Sequence, residues 1–146
     1  MSEPIKITPF DLAQRFVGVA EVPGAGSNAQ VLSFLRLDGD WPKDDEVPWC
    51  SAFANYIAWL LRLPRSKALN ARSWLDVGIP VDIHDAKPGF DVAVFWRGSA
   101  TAATGHVGFF AGRGIRTVLV LGGNQGDRVS IAPYPEDRLL GIRRLA

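Results

Sequence analysis

One cysteine, Cys50, stands in the stretch EVPWCSAFANYIAWLL (46–61), and two histidines, His84 and His106, are the chain's whole supply of imidazole. A thiol acts as a nucleophile when a base takes its proton, and a histidine serves as that base when a third group orients its ring. Pro48 and Trp49 place Cys50 in the first turn of the apolar run that follows. Unpaired N–H groups and the helix dipole there favour a thiolate and could donate to an oxyanion. The same cysteine also lies on a stripe with Phe53, Ala54, Ile57, Ala58 and Leu61, where free cysteine is an ordinary core residue.

His84 falls in the loop-like VDIHDAKPGF between two prolines and reads as a solvated histidine. His106 opens the apolar run HVGFFA between Gly105 and Gly108, where small neighbours leave room for a ligand. Runs 106–111 and 117–121 form a hairpin joined through Gly112–Ile115. If Ala111 pairs with Thr117, His106 lies opposite about residue 122, so Asn124 in LGGNQG comes to the same rim of the sheet. An amide oxygen can orient an imidazole by accepting from its second nitrogen. Asn124 is the expected orienting residue and Gln125 the nearest substitute, while a plain turn role suits residues beside three glycines equally well.

These residues sit in a chain of 146 residues, 47% hydrophobic and 21% charged, which suits one globular domain spanning 1–146. The net charge of +1 gives no push toward nucleic acid or membrane. Residues 1–49 hold four basic and eight acidic side chains, and 97–146 hold seven arginines and three acids, as two solvated faces would. A lone cysteine excludes a disulfide framework and multi-cysteine metal sites, and two distant histidines leave little for zinc. No metal or cofactor is expected. The N-terminus MSEPIKITPF shows no secretory signal, and no apolar stretch reaches the roughly 20 residues a bilayer span needs. Synthesis in the cytoplasm, with any export by another route, is the expectation.

The positioning elements come in two halves. Thr8-Pro9-Phe10-Asp11 reads as a helix start, with Phe10, Ala13, Phe16 and Val17 at helical spacing. After a break at Pro23–Gly26, Ser27 or Asn28 can cap a second helix that buries Val31, Leu32, Phe34 and Leu35 and ends near Gly39. The acidic loop 38–46 precedes the cysteine helix, and ALNARSWLDVG adds a helical piece stopping at Gly78. From Pro80 onward come short β-prone runs at 91–96, 106–111, 117–121, 129–132 and 139–143. Helices first and strands later give an α+β domain, with helices packed on an antiparallel sheet.

Taken together, "PWCSAF", "KPGFDVAVFWRG", "TGHVGFFAG" and "LGGNQGDRVSIAPYP" resemble the CHAP family, the cysteine- and histidine-dependent amidohydrolase/peptidases of the papain-like superfamily. The resemblance covers roughly residues 10–144. Phe90 separates Gly89 from Asp91 where relatives often read PGD, and glycines fill 122–123 where many carry an acid nearby. The resemblance implies a papain-like fold and cleavage of peptidoglycan, at the N-acetylmuramoyl-L-alanine bond or within the stems and bridges. It also implies Cys50 as nucleophile, His106 as base and Asn124 as orienting residue, with Trp49, Ser51 and Gln125 toward the substrate. Trp41, Trp74 and Trp96 are further candidates for a sugar groove, and the acidic loop for a diamino-acid amine. The chain is most like the single-domain members of phage lysis modules and bacterial secreted wall hydrolases. A monomer acting on peptidoglycan is expected, with no nucleic acid and no membrane insertion, and with holin-dependent delivery or an immunity protein as the partners to look for. A catalytically silent wall-binding module and an interbacterial toxin of the same chemistry are the alternatives.

Overall fold

Thr8 starts the first helix reciprocally: its hydroxyl accepts from Asp11 N at 3.1 Å while the Asp11 carboxylate accepts from Thr8 N at 3.2 Å. This capping box and Pro9 open α1 (Pro9–Ala13). The computed structural model describes residues 6–22, 27–39 and 48–146. The break at 23–26, Trp41 and acidic residues 40–46 lie outside the described residues. After α1 the chain tightens into a 3-10 turn, Gln14–Phe16, and then extends. That change of direction carries Phe16 into the core but leaves Val17, expected on the same buried face, 50% exposed.

Asn28 caps α2 (Ala29–Leu35), its side chain accepting from Gln30 N at 2.8 Å. Val31, Phe34 and Leu35 are buried, as the spacing predicts. The cysteine helix, α3 (Cys50–Leu60), buries nearly its whole first two turns. Phe16, Phe34, Phe53 and Tyr56 meet edge-on or tilted, with centroids 4.9–6.0 Å apart. Full burial of the Phe34 and Phe53 rings contributes roughly 2–3 kcal/mol each, and the partly buried Phe16 and Tyr56 pack against them, which holds the turn after α1 to α2 and α3. Segment 68–78, expected as a helical piece, forms a short 3-10 turn at Ala71–Asp76.

Six strands follow: β1 (Ile79–Val81), β2 (Asp91–Trp96), β3 (Gly105–Gly114), β4 (Thr117–Gly122), β5 (Ser130–Pro135) and β6 (Leu139–Arg144). They form one sheet in the order β1-β6-β2-β3-β4-β5, and every neighbouring pair is antiparallel. The two 3-10 turns between strands, Ile83–Asp85 and Glu136–Arg138, complete the path. β1 has no counterpart in the sequence reading, because three residues with a central proline carry no strand pattern. It survives as an edge strand, where proline costs no ladder bond on its free side. Gly78 before it has φ +72, and a Cβ there would run into the Arg144 carbonyl.

The sheet is covered on both sides. Val92, Val94, Val107, Phe109 and Leu121 pack with the helices, while Ala93, Phe95, Phe110, Val118, Val120 and Ile142 form a second core on the other face. β2 therefore reads as an unbroken apolar run instead of an alternating one. Asp91 begins it fully buried, held by Arg144 through Nε at 2.7 Å and Nη2 at 2.9 Å. The extra Phe90 does not shift this start; its carbonyl accepts from Leu145 N at 3.0 Å.

The β3–β4 hairpin differs from the expected register. Gly114 pairs with Thr117 across the short turn Ile115-Arg116, and Ala111 is bulged out between Phe110 and Gly112. The turn is tight because Arg116 takes a left-handed conformation, φ +56. β3 consequently runs three residues past the end of the apolar run, and this polar end, 112–114, is paired where a loop was expected.

Candidate active site

Cys50 is the first residue of α3, with Trp49 at the cap position and no side chain satisfying the first-turn N–H groups. Those donors remain available beside the sulfur. Burial nevertheless dominates the thiol. Cys50 is 8% exposed, and loss of water pushes its pKa up. The backbone N–H groups of Val107, Ser51 and Cys50 and the Arg97 charge pull the other way without overturning it. The helix start thus offers oxyanion donors, while the resting sulfur is a thiol. A thiolate held by the helix dipole, which the first-turn position suggests, is not what this environment favours.

His106 sits at the start of β3, 1% exposed, with Nε2 2.8 Å from Gln125 Oε1. The Gln125 amide is anchored so that only its oxygen can face the ring. Its Nε2 donates to the carbonyls of Val120 at 3.1 Å and Ser130 at 2.8 Å, both of which only accept. Oε1 therefore accepts from His106 Nε2–H, and the neutral ring keeps its lone pair on Nδ1. That atom is buried and has no hydrogen-bond partner among the described residues. A base with a fixed tautomer and an open acceptor results. Burial, the largest cause, and Arg97 together lower the His106 pKa to about 4, against the raising effect of the Gln125 bond.

The ring is also held face-on. It stacks on Tyr134 at 4.5 Å and 12°, and Tyr134 stacks on Phe95 at 5.2 Å. Burial raises the Tyr134 hydroxyl to about 12, so it stays protonated. Val107, next to His106, turns its N–H toward the Cys50 sulfur, which ties the start of α3 to the start of β3. An open groove borders the sulfur, lined by Pro48, Leu69, Asn70, Arg97 and Thr104 among others. No group of three His, Cys, Asp or Glu side chains among the described residues could hold a metal.

The structure brings Cys50, His106 and Gln125 into one site and corrects the other expectations. Asn124 does not hydrogen-bond the histidine. It occupies the left-handed turn conformation, φ +57, after β4 has ended at Gly122, and the chain then carries Gln125 back over the ring. Trp49 is fully buried, its Nε1 donating to Glu21 Oε1 at 2.7 Å, so it packs the core instead of meeting substrate. Ser51 is equally buried; it donates to Ala68 O at 2.6 Å and accepts from Trp74 Nε1 at 2.9 Å. That pair and Asn55, which donates to Ala68 O, fasten segment 66–70 along the groove. Trp74 belongs to this buried network and not to a sugar groove, while Trp96 carries Arg138 over its ring at 5.0 Å. His84 is exposed and faces Arg113 instead of the site.

A signal for Gln125 was present in the glycines before it. A Cβ on Gly122 would stand 2.6 Å from Gln125 Oε1 and 3.4 Å from His106 Nε2, and one on Gly123 would stand 2.8 Å from the Trp49 ring. The Gly122 position must be bare for the amide to reach the imidazole, and the Gly123 position for the loop to lie against Trp49 and Phe53. Gly122→Ala is therefore expected to displace the Gln125 oxygen, leaving the His106 Nε2–H without its acceptor and the tautomer unfixed. The expected outcome is a roughly 10²-fold loss of hydrolysis with an unaltered circular dichroism spectrum. Asn124→Ala, on a side chain that does not touch the ring, is expected to cost far less.

Several solved structures resemble this chain, three of which follow. NlpC2 from Trichomonas vaginalis matches with TM-score 0.57 and 18% identity over 98% of this chain and 49% of that one. NlpC1 from the same organism gives 0.56 and 16% over 98% and 46%. An NlpC/P60 family protein from Bacillus cereus gives 0.51 and 15% over 99% and 41%. The chain thus spans less than half the length of each. No protein-family model matches the sequence, and no curated protein does. At such identities the likeness establishes the fold: a papain-like arrangement of helices on an antiparallel sheet.

Proposed function

We propose that this chain is a thiol-dependent amide hydrolase acting on peptidoglycan, at the N-acetylmuramoyl-L-alanine bond or within the stem and bridge peptides. The observation that carries the reading is the Gln125 anchor, which leaves His106 Nδ1 as a bare, buried acceptor on the strand that also touches Cys50. The NlpC/P60 neighbours support the papain-like level of this reading, and the CHAP-like stretches around Cys50 and His106 support the choice of wall amide.

With both groups neutral at rest, the proton moves as the bond forms. Cys50 sulfur attacks the amide carbonyl while its proton passes to His106 Nδ1. Charge develops on the carbonyl oxygen and is met by N–H groups at the start of α3. The imidazolium, its Nε2–H still held by Gln125, gives that proton to the leaving amine as the C–N bond breaks. Water then attacks the thioester, its proton going to Nδ1, and the acid and thiol are released. The tightly packed Tyr134 keeps the ring from turning between the two transfers.

The test is incubation of purified sacculi with the protein, before and after alkylation of Cys50 by iodoacetamide, with mass spectrometry of what is released. New amine and acid termini from the untreated protein alone support the hydrolase and name the bond. Absence of product across several wall chemotypes, from folded protein, leaves a wall-binding module on the same scaffold.

A further inference from the structure

Arg72 and Arg97 flank the same loop and are used differently. Arg72 spends its guanidinium on three carbonyls, Thr104 at 2.9 Å, Ala100 at 2.8 Å and Ser99 at 3.0 Å. This closes residues 97–104 into a rigid turn between β2 and β3. Gly105 makes the closure possible, since a Cβ there would stand 2.7 Å from the Phe95 carbonyl and 3.4 Å from the Arg72 stem. The main chain of Arg97 is pinned as well: its carbonyl accepts from Ser99 N at 2.8 Å and Thr104 Oγ1 at 2.9 Å.

The Arg97 side chain, by contrast, is exposed in the groove and pairs with no carboxylate among the described residues. It is the one charged side chain among the groove's described lining residues, the rest being Cys50, small or apolar groups, Asn70 and Thr104. Its guanidinium hydrogen-bonds the Tyr134 hydroxyl and stands near the Cys50 thiol and the neutral His106 ring, none of which carries a negative charge to balance it. A cation on a braced turn, beside Cys50 and with no carboxylate partner among the described residues, is suited to meet an anion that arrives with the ligand.

Resting on the hydrolase reading above, we propose that Arg97 is a specificity residue that binds a free carboxylate of the stem peptide close to the bond being cut. A planar carboxylate suits the guanidinium fork, and a glutamyl residue linked through its side chain leaves such a group free on its backbone. The same residue in its amidated form presents a carboxamide of equal size without charge, and the site should discriminate against it.

The experiment uses the full chain with Cys50→Ala, so that ligand stays intact, and two probes measured by calorimetry. These are N-acetylmuramoyl-L-alanyl-γ-D-glutamyl-L-lysine and its D-isoglutaminyl counterpart. The acid is expected to bind about tenfold more tightly, as one charge-assisted contact in a wet groove would give. Arg97→Gln in that background is expected to bring the two Kd values within about twofold, and Arg97→Lys to keep part of the difference. Equal binding of acid and amide, binding of neither, or a preference that survives Arg97→Gln overturns the proposal.

Cleavage is read separately with Cys50 in place. Hydrolysis of both peptides at equal rates removes the role of Arg97 and keeps the hydrolase. An acid preference in binding with no cleavage of either probe or of sacculi removes the hydrolase and keeps the carboxylate site.

Discussion

Cys50→Ala is expected to lower hydrolysis of wall peptides at least about 10⁴-fold, while the protein remains folded. The sulfur is the one thiol in the chain and the nucleophile of the proposed reaction. Removing it leaves only bound substrate, an ordered base and first-turn N–H donors, which together accelerate attack by water weakly. Because the thiol is 8% exposed and packed among Ala71, Leu69 and the start of β3, loss of one buried atom costs about 1 kcal/mol of stability. Cys50→Ser is expected to be nearly as inactive, since a hydroxyl is a poorer nucleophile for the same base. The checks are the steady-state rate of fragment release and the urea midpoint of each variant.

The pH dependence follows from the same burial. With the thiol pKa pushed up, alkylation of the free protein by iodoacetamide is expected to be slow at pH 7 and to rise only on the alkaline side. Hydrolysis behaves differently, because the base takes the proton during attack. Its rate is expected to hold from pH 8 down to 5 and to fall as His106 protonates near pH 4. An acid limb centred near pH 6.5 would mean that the ring is wetter than its surroundings imply.

His106→Gln is the second large effect, and it has two readouts. Rate is expected to fall about 10³–10⁴-fold through loss of the base. Stability should change in the opposite sense at low pH. The folded ring has a pKa of about 4, below the unfolded value of 6.5, so the unfolded chain binds the extra proton between those limits. Full stability is therefore present above pH 6.5 and is lost as pH falls toward 4, by about 3 kcal/mol in total from this group. Glutamine carries no such proton. The stability gap between the native protein and His106→Gln, measured by urea unfolding, is expected to narrow by about that amount between pH 7 and pH 4. A gap that stays constant with pH would show that His106 titrates alike in the folded and unfolded chains.

Tyr134 and Phe95 explain why the ring holds its place without a carboxylate. The imidazole is stacked on one face and hydrogen-bonded at one nitrogen, so two independent contacts define its plane. An amide in the third position orients the ring without stabilising imidazolium as a charge would. That fits a site whose resting partners are both neutral.

By itself the chain determined the local features. The capping box at Thr8, the Asn28 cap, the start of the cysteine helix at residue 50 and the core of each long strand are set by neighbours within a few positions, so pattern was enough to find them. Cys50 and His106 were legible for a similar reason: each is alone or nearly alone of its kind, at the start of an apolar element. Tertiary structure decided the rest, because the deciding contacts join residues far apart or differ by one position in a turn. Asn124 and Gln125 are both amides in one glycine-rich loop. Only the carbonyls of Val120 and Ser130, and the bare Cα of Gly122, choose the second to face the ring. The burial of Trp49 and Ser51, the hairpin register shifted by the Ala111 bulge, and the edge strand at Ile79–Val81 likewise depend on packing partners that no local window contains. The protonation of the site was decided at the same level: the helix start favours a thiolate, but the water excluded by the surrounding fold favours the neutral thiol, and desolvation is the larger effect.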